Sequence, residues 1–116
     1  MIRRGDIHAV DLDPVRGAES NKRRPAVVVS NDAANATAAR LGRGVITVVP
    51  VTSNIDRVYP FQVLLPAAVT GLERNSKAQA EQGRSIAVER VGERLGVASN
   101  ALMLQVDEAL RLHLGL

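Results

Sequence analysis

The chain is expected to be mainly β, a small, partly closed barrel of five or six short strands with one α-helix packed on it at the C-terminus. Three observations predict this. Short apolar runs rich in Val and Ile recur between Pro and Gly breakers from Ile7 to Ile86. Only the last stretch, Ala101–Leu114, changes to helical spacing. And 116 residues suffice for one core, so residues 1–116 form a single domain that buries roughly two-thirds of its surface on folding.

In chain order, Ile7 to Leu12 alternates well enough for a first strand, and Asp13-Pro14 with Gly17 punctuates it. The polar stretch Glu19 to Arg24 precedes Pro25 and the β-branched run Ala26-Val27-Val28-Val29, a buried strand. Asn31 to Arg40, Ala-rich and polar, fits a loop with one helical turn. Val45 to Val51 is the most apolar segment and the central strand, except where Pro50 removes a ladder donor. Tyr59 to Leu65 alternates as another strand, stopped by Pro66. Lys77 to Ile86 supports a further strand, with Gly83 as a weak point or bulge. Gly92 and Gly96 frame a hairpin-like segment. Over the terminal helix Leu102, Met103, Val106 and Leu110 share a face, with Ser99 as N-cap, Gly115 as stop and no capping box. A helix after short strands gives the layered barrel.

Composition excludes several functions. No cysteine is present, so disulfide frameworks, thiolate zinc sites and cysteine nucleophiles are ruled out. No apolar run approaches the roughly 18 residues of a membrane span, and a soluble, cytoplasmic protein without a membrane partner is expected. Fifteen basic against twelve acidic residues leave a net charge of +3, while the isoelectric point is about 10.2. Thirteen of the basic residues are Arg, so the high value reports missing buffering groups more than a strong field. Residues 1–58 carry nine basic and six acidic groups, the remainder six of each, which concentrates the excess in the N-terminal half. Arg suits phosphate through its planar fork, and a polyanionic partner fits this half, as does a solvated face.

Metal ligands are absent as a pattern. His8 and His113, the only histidines, have no second ligand at suitable spacing, and Asp6, Asp11 and Asp13 match no calcium loop. No phosphate-binding glycine loop appears, and no cofactor is expected. Tyr59 and Phe61 are the only aromatics, which excludes a broad base-stacking platform; Tyr59 alone suits the stacking of one base, or rim packing. The densest polar cluster, Glu19 to Arg24, leads into a buried strand, and Thr52-Ser53-Asn54 leaves the central one. Side chains at such rigid strand ends are well held. Arg24 offers bidentate phosphate contact, Glu19 a carboxylate able to move a proton, and Thr52 or Ser53 a hydroxyl donor. A rim salt bridge, an exposed acid and a strand-end turn account for the same residues without function.

Arg4-Gly5-Asp6-Ile7, Asp11-Leu12-Asp13-Pro14, Gly17-Ala18-Glu19 and Arg24 to Asp32 together resemble the N-terminal signature of the MazF/PemK family of endoribonuclease toxins. The likeness continues through Val49 to Ser53, Tyr59-Pro60-Phe61, Glu81 to Ile86 and Asp107 to Leu110, in family order over nearly the whole chain. It implies an SH3-like barrel, a homodimer, metal-independent cutting of single-stranded RNA at short sequences, and a cognate antitoxin protein that blocks the site. The family's catalytic Arg falls on Arg24, its catalytic Thr on Thr52 and its nearby acid on Glu19, with Ala18 in place of the usual Ser. Lys22, Arg23, Ser53, Asn54, Tyr59, Gln82, Arg84 and Ser85 fall along the implied RNA-binding groove. The chain departs from the family at His8, where an aromatic is common, and at Lys77 and Gly83, where apolar residues are usual; a looser core around that strand follows as an expectation. The same barrel also serves CcdB-like toxins that bind a topoisomerase, and a barrel that binds RNA without cutting it is a third possibility.

Overall fold

The computed structural model describes residues 1–12 and 23–116. The Asp13–Gly17 turn, Asp13 itself, Glu19 and Lys22 lie outside the described residues. Within them, seven strands β1 (Asp6–Asp11), β2 (Arg23–Val28), β3 (Val45–Thr52), β4 (Gln62–Leu65), β5 (Ser76–Gln79), β6 (Arg84–Ala87) and β7 (Val91–Val97) are joined by helices α1 (Asp32–Leu41) and α2 (Ala67–Thr70), and α3 (Asn100–Leu114) closes the chain. The strands form one sheet in the order β4-β5-β3-β2-β1-β7, with β6 also paired to β3. All pairings are antiparallel, and the sheet is barrel-like without closing on itself.

Alternation explains the packing. On β2 and β3, Val27, Val49 and Val51 face one core, completed by Ile7, Leu65 and the α3 residues Leu102, Met103 and Val106. Ala26, Val28, Ile46 and Val48 face a second core with Val10, Leu12, Ile86 and Val88. A central strand buried on both faces reads as a continuous apolar run, which is why β3 is the most hydrophobic segment.

Four elements differ from their expected form. Asn31–Arg40 holds a full helix instead of one turn: Asn31 caps it by accepting from the Ala34 N–H at 2.8 Å, its alanines favour it, and Gly42 ends it at φ 65°. Buried Asn35 ties this helix to the sheet, its Nδ2 donating to the Ser30 carbonyl at 2.9 Å while Ser30 Oγ accepts from the Thr47 N–H at 3.1 Å. The Tyr59–Leu65 strand shortens to β4, with Tyr59 and Phe61 in the preceding segment. The Lys77–Ile86 strand is broken by a 3₁₀ turn at Ala80–Gln82. Here β5 pairs Val51 and Thr52 and β6 pairs Val45 to Val48, so Val49 and Pro50 have no partner on that edge, where Pro50 has no N–H to offer. Finally, Gly92 and Gly96 belong to one strand, β7, paired to β1 with register shifts. A Cβ on Gly96 would collide with the Thr70 carbonyl oxygen, so glycine lets α2 rest against β7.

The expected looseness around Lys77 and Gly83 is absent. Gly83 follows the 3₁₀ turn, where a Cβ would press to 3.2 Å from the Ala80 carbonyl, so no packing space is left empty. Lys77 is 7% exposed, and its Nζ donates to the Arg57 carbonyl at 2.6 Å. The terminal helix matches its expected caps, Ser99 Oγ accepting from the Leu102 N–H and Gly115 in the left-handed region.

Candidate active site

The interrupted ladder opens a groove. Opposite Pro50 the chain leaves β3, and Gln79 and Gln82 at the two sides of the 3₁₀ turn become its walls; Arg24, Arg84 and Leu12 complete a cavity of about 300 Å³. β2 and β3 are aligned with Ala26 against Pro50, and continuing that register to the strand ends sets Arg24 across from Thr52. Cross-strand partners point to one face, so Arg24, Pro50 and Thr52 share a side. Arg84, paired with Val48, and Lys77, paired with Thr52, lie on this side too.

The cations differ in how they are held. Arg84 Nη1 donates to the Leu12 carbonyl at 2.9 Å, which anchors its guanidinium in the groove and leaves other N–H groups free. Arg24 is exposed and makes no protein hydrogen bond among the described residues. Thr52 Oγ1 accepts from the Asn54 N–H at 3.3 Å, and Asn54 Oδ1 accepts from the Asp56 N–H at 3.2 Å, so Asn54 shapes the turn after β3. That accepting contact leaves the Thr52 hydroxyl proton available to donate.

Other expected RNA contacts are dispersed. Arg23 points to the opposite face from Arg24 and pairs with Asp11, Nε to Oδ1 at 3.2 Å. Ser85 is paired with Thr47 and therefore faces away from Arg84. Ser53 also turns to the far side, where it lines a separate cavity with Pro25 and Val51. Tyr59 is 43% exposed, its ring stacked on Phe61 with centroids 5.4 Å apart and planes 4° from parallel. Lys77 Nζ stands 5.9 Å from the Tyr59 centroid, so the loop after Thr52 is held by the residue paired with Thr52. Glu19 and Lys22 lie outside the described residues. Among the latter, no group of three or more His, Cys, Asp or Glu is placed to hold a metal ion. Buried His8 donates from Nδ1 to the Gly92 carbonyl, 2.9 Å away, on the sheet.

Gln79, Pro50 and Leu12 were not among the expected groove residues. Alternation along β5 from Lys77, once that strand is paired to Thr52, is the signal that selects Gln79. Pairing of distant strands supplies it.

The chain is similar to known proteins over almost its whole length. Residues 3–114 match the family described as PemK-like, MazF-like toxin of type II toxin-antitoxin system. The chain is 69% identical over 116 residues to Endoribonuclease MazF9 of Mycobacterium tuberculosis, covering 100% of this chain and 98% of that protein. It is 34% identical over 117 residues to Endoribonuclease MazF of Staphylococcus epidermidis, covering 100% and 93%. Among solved structures, a MazE–MazF complex from Deinococcus radiodurans superposes with a TM-score of 0.78 at 30% identity, over 99% of this chain and 96% of that one. A mycobacterial endoribonuclease in complex with its cognate antitoxin shares the fold at TM-score 0.77 and 24% identity, over 100% and 97%. The interrupted β3 edge, the arginines it gathers and the near-complete match of the chain lead to one conclusion: this protein belongs to the PemK-like, MazF-like toxins of type II toxin–antitoxin systems.

Proposed function

We propose that the protein is a sequence-specific endoribonuclease that cuts single-stranded RNA by attack of the substrate's own 2′-OH, without a metal ion. The observation that carries this reading is the convergence of Arg24, Arg84 and Thr52 on one face at the end of the β2–β3 ladder. Cleavage by a 2′-OH needs a base for that hydroxyl, an acid for the leaving 5′-oxygen and stabilisation of charge at phosphorus. Arg24 performs the third task, since a guanidinium keeps its proton at neutral pH and is therefore a poor base; its role as proton carrier ranks second. Thr52 donates to a non-bridging oxygen. Glu19, or another nearby group, moves the proton. Products are a 2′,3′-cyclic phosphate upstream and a 5′-hydroxyl downstream.

The relatives' names support the nuclease reading, and their antitoxin complexes support a cognate antitoxin that covers the Arg24 groove. A homodimer is part of the same proposal. The test is a long single-stranded RNA with mapped 5′ ends. A single deoxyribose 5′ of the cut is expected to abolish cleavage and preserve binding, because only RNA carries the nucleophile. Cutting of the deoxy-substituted strand, or a downstream 5′-phosphate, would make water the nucleophile and overturn the assignment. RNA binding without any cut would identify a non-cleaving barrel, and topoisomerase binding alone a CcdB-like toxin.

A further inference from the structure

A second cavity, of about 490 Å³, opens on the other face of the same strand ends. Its apolar lining comes from Pro25, Val51, Leu72 and Leu95, and Arg74, Arg94 and Glu73 bring charge to it. Ser53 lines it as well. Pro50 lines the groove and Val51 this cavity, successive residues of β3 whose side chains point to opposite faces, so the two cavities lie back to back across one strand. Pro25 and Arg24 repeat the arrangement on β2.

We infer that this cavity receives one base of the RNA, turned out of the strand beside the cut, and that it contributes to the sequence preference. The inference rests on the nuclease reading above. Single-stranded RNA is read by splaying unstacked bases into pockets, where apolar walls cover the ring and polar groups meet its edges. The volume falls within the ordinary range for small-ligand sites and exceeds what a single base fills, which leaves room for its ribose. Arg74 and Arg94 offer planar donor forks for a phosphate or a base edge, and Glu73 accepts from an exocyclic amino group. Arg94 is only loosely engaged within the protein, its Nη1 lying 3.9 Å from Asp6 Oδ1. A backbone crossing the end of β3 would keep its phosphate beside Arg24 and Thr52 while a neighbouring base enters past Ser53.

The experiment cuts a pool of single-stranded RNA randomised in sequence and reads the bases around every 5′ end. Wild-type protein is compared with Arg74→Ala, which removes an exposed fork, and Leu72→Trp, which fills the cavity; thermal melts confirm folding. In both variants the preference at one position flanking the cut is expected to flatten. kcat/KM on the favoured RNA falls about tenfold or more, in line with one lost base contact. The stable Arg74→Ala variant keeps the test decisive if Leu72→Trp does not fold. Folded variants with the wild-type preference and kcat/KM overturn the subsite alone. So does loss of self-association or of antitoxin affinity with the preference retained, which would make the cavity a protein-binding site. A wild-type protein that cuts no RNA overturns the nuclease reading, and the subsite with it.

Discussion

Arg24 and Thr52 lie on one face near the ends of two strands whose inner halves are fully buried, so their backbone positions are set by the core. Replacing Arg24 by Lys keeps the charge and loses the fork, and cleavage should fall nearly as far as with Ala, on the order of a hundredfold or more. A folded Arg24→Lys protein with near wild-type rate would refute the clamp. Thr52→Ala should lower kcat by a similar factor with little change in RNA affinity, and Thr52→Ser should restore much of it. A large affinity loss at unchanged single-turnover rate would make Thr52 a binding residue instead. Lys77 is a different case. Its buried ammonium is satisfied by the Arg57 carbonyl, and Met at this position keeps the stem's packing while removing the charge. Replacing a buried charge by an apolar side chain of similar volume is often neutral or stabilising. Lys77→Met should therefore melt no lower than wild type, yet amides of the Ser53–Phe61 loop should exchange faster. A lower melting temperature with unchanged loop exchange would show that Lys77 serves the core and not the loop.

Helices α1 and α3 share a design at the element scale: a side-chain oxygen accepts at the N-terminus, and a left-handed glycine follows the C-terminus. Each cap sits on a separate element, so its loss should act independently. Asn31→Ala and Ser99→Ala should each cost about 1 kcal/mol of unfolding free energy, and the double variant about the sum. Urea titrations monitored by circular dichroism measure this; a strongly non-additive pair would mean that the two helices are coupled through the sheet. The terminal helix was readable because its spacing, cap and stop agree. α1 was not, since its apolar content is almost all Ala and its key inward residue is polar. Asn35 reads as a loop residue until Ser30 is placed beside it. The break at Ala80–Gln82 was hidden for a related reason. Pro50 visibly lacks a donor, but which distant strand would have used it depends on pairing.

For the whole molecule, the proposed chemistry uses no ion and the proposed assembly uses two copies. RNA cleavage should persist in excess EDTA, and the protein should elute near twice 12.4 kDa. Inhibition by EDTA that a divalent ion reverses would demand ligands, with Asp6, Asp11 and Asp13 the first to test. The antitoxin should compete with RNA for the Arg24 groove, as an acidic segment that orders on binding would. Simultaneous, independent binding of RNA and antitoxin would place the antitoxin elsewhere. No helix among the described residues is long and apolar enough to cross a membrane.

Local patterning determined the strand-rich class, the inward faces of β2 and β3, both caps of α3 and the prominence of Arg24 and Thr52. These depend on alternation, breakers and motif order, all of which act over a few neighbouring residues. Tertiary pairing decided the rest. It divided Arg23 from Arg24 and Ser53 from Thr52, because successive residues on a strand face opposite ways and only the register says which way the groove lies. It brought Lys77 beside Thr52 from a strand 25 residues further along the chain, set Gln79 from the same strand into the groove with Pro50, and buried a lysine whose only signal in the sequence was its place where the family usually carries an apolar residue. A side chain's chemistry can be read locally; the company it keeps is set by contacts between strands distant in sequence.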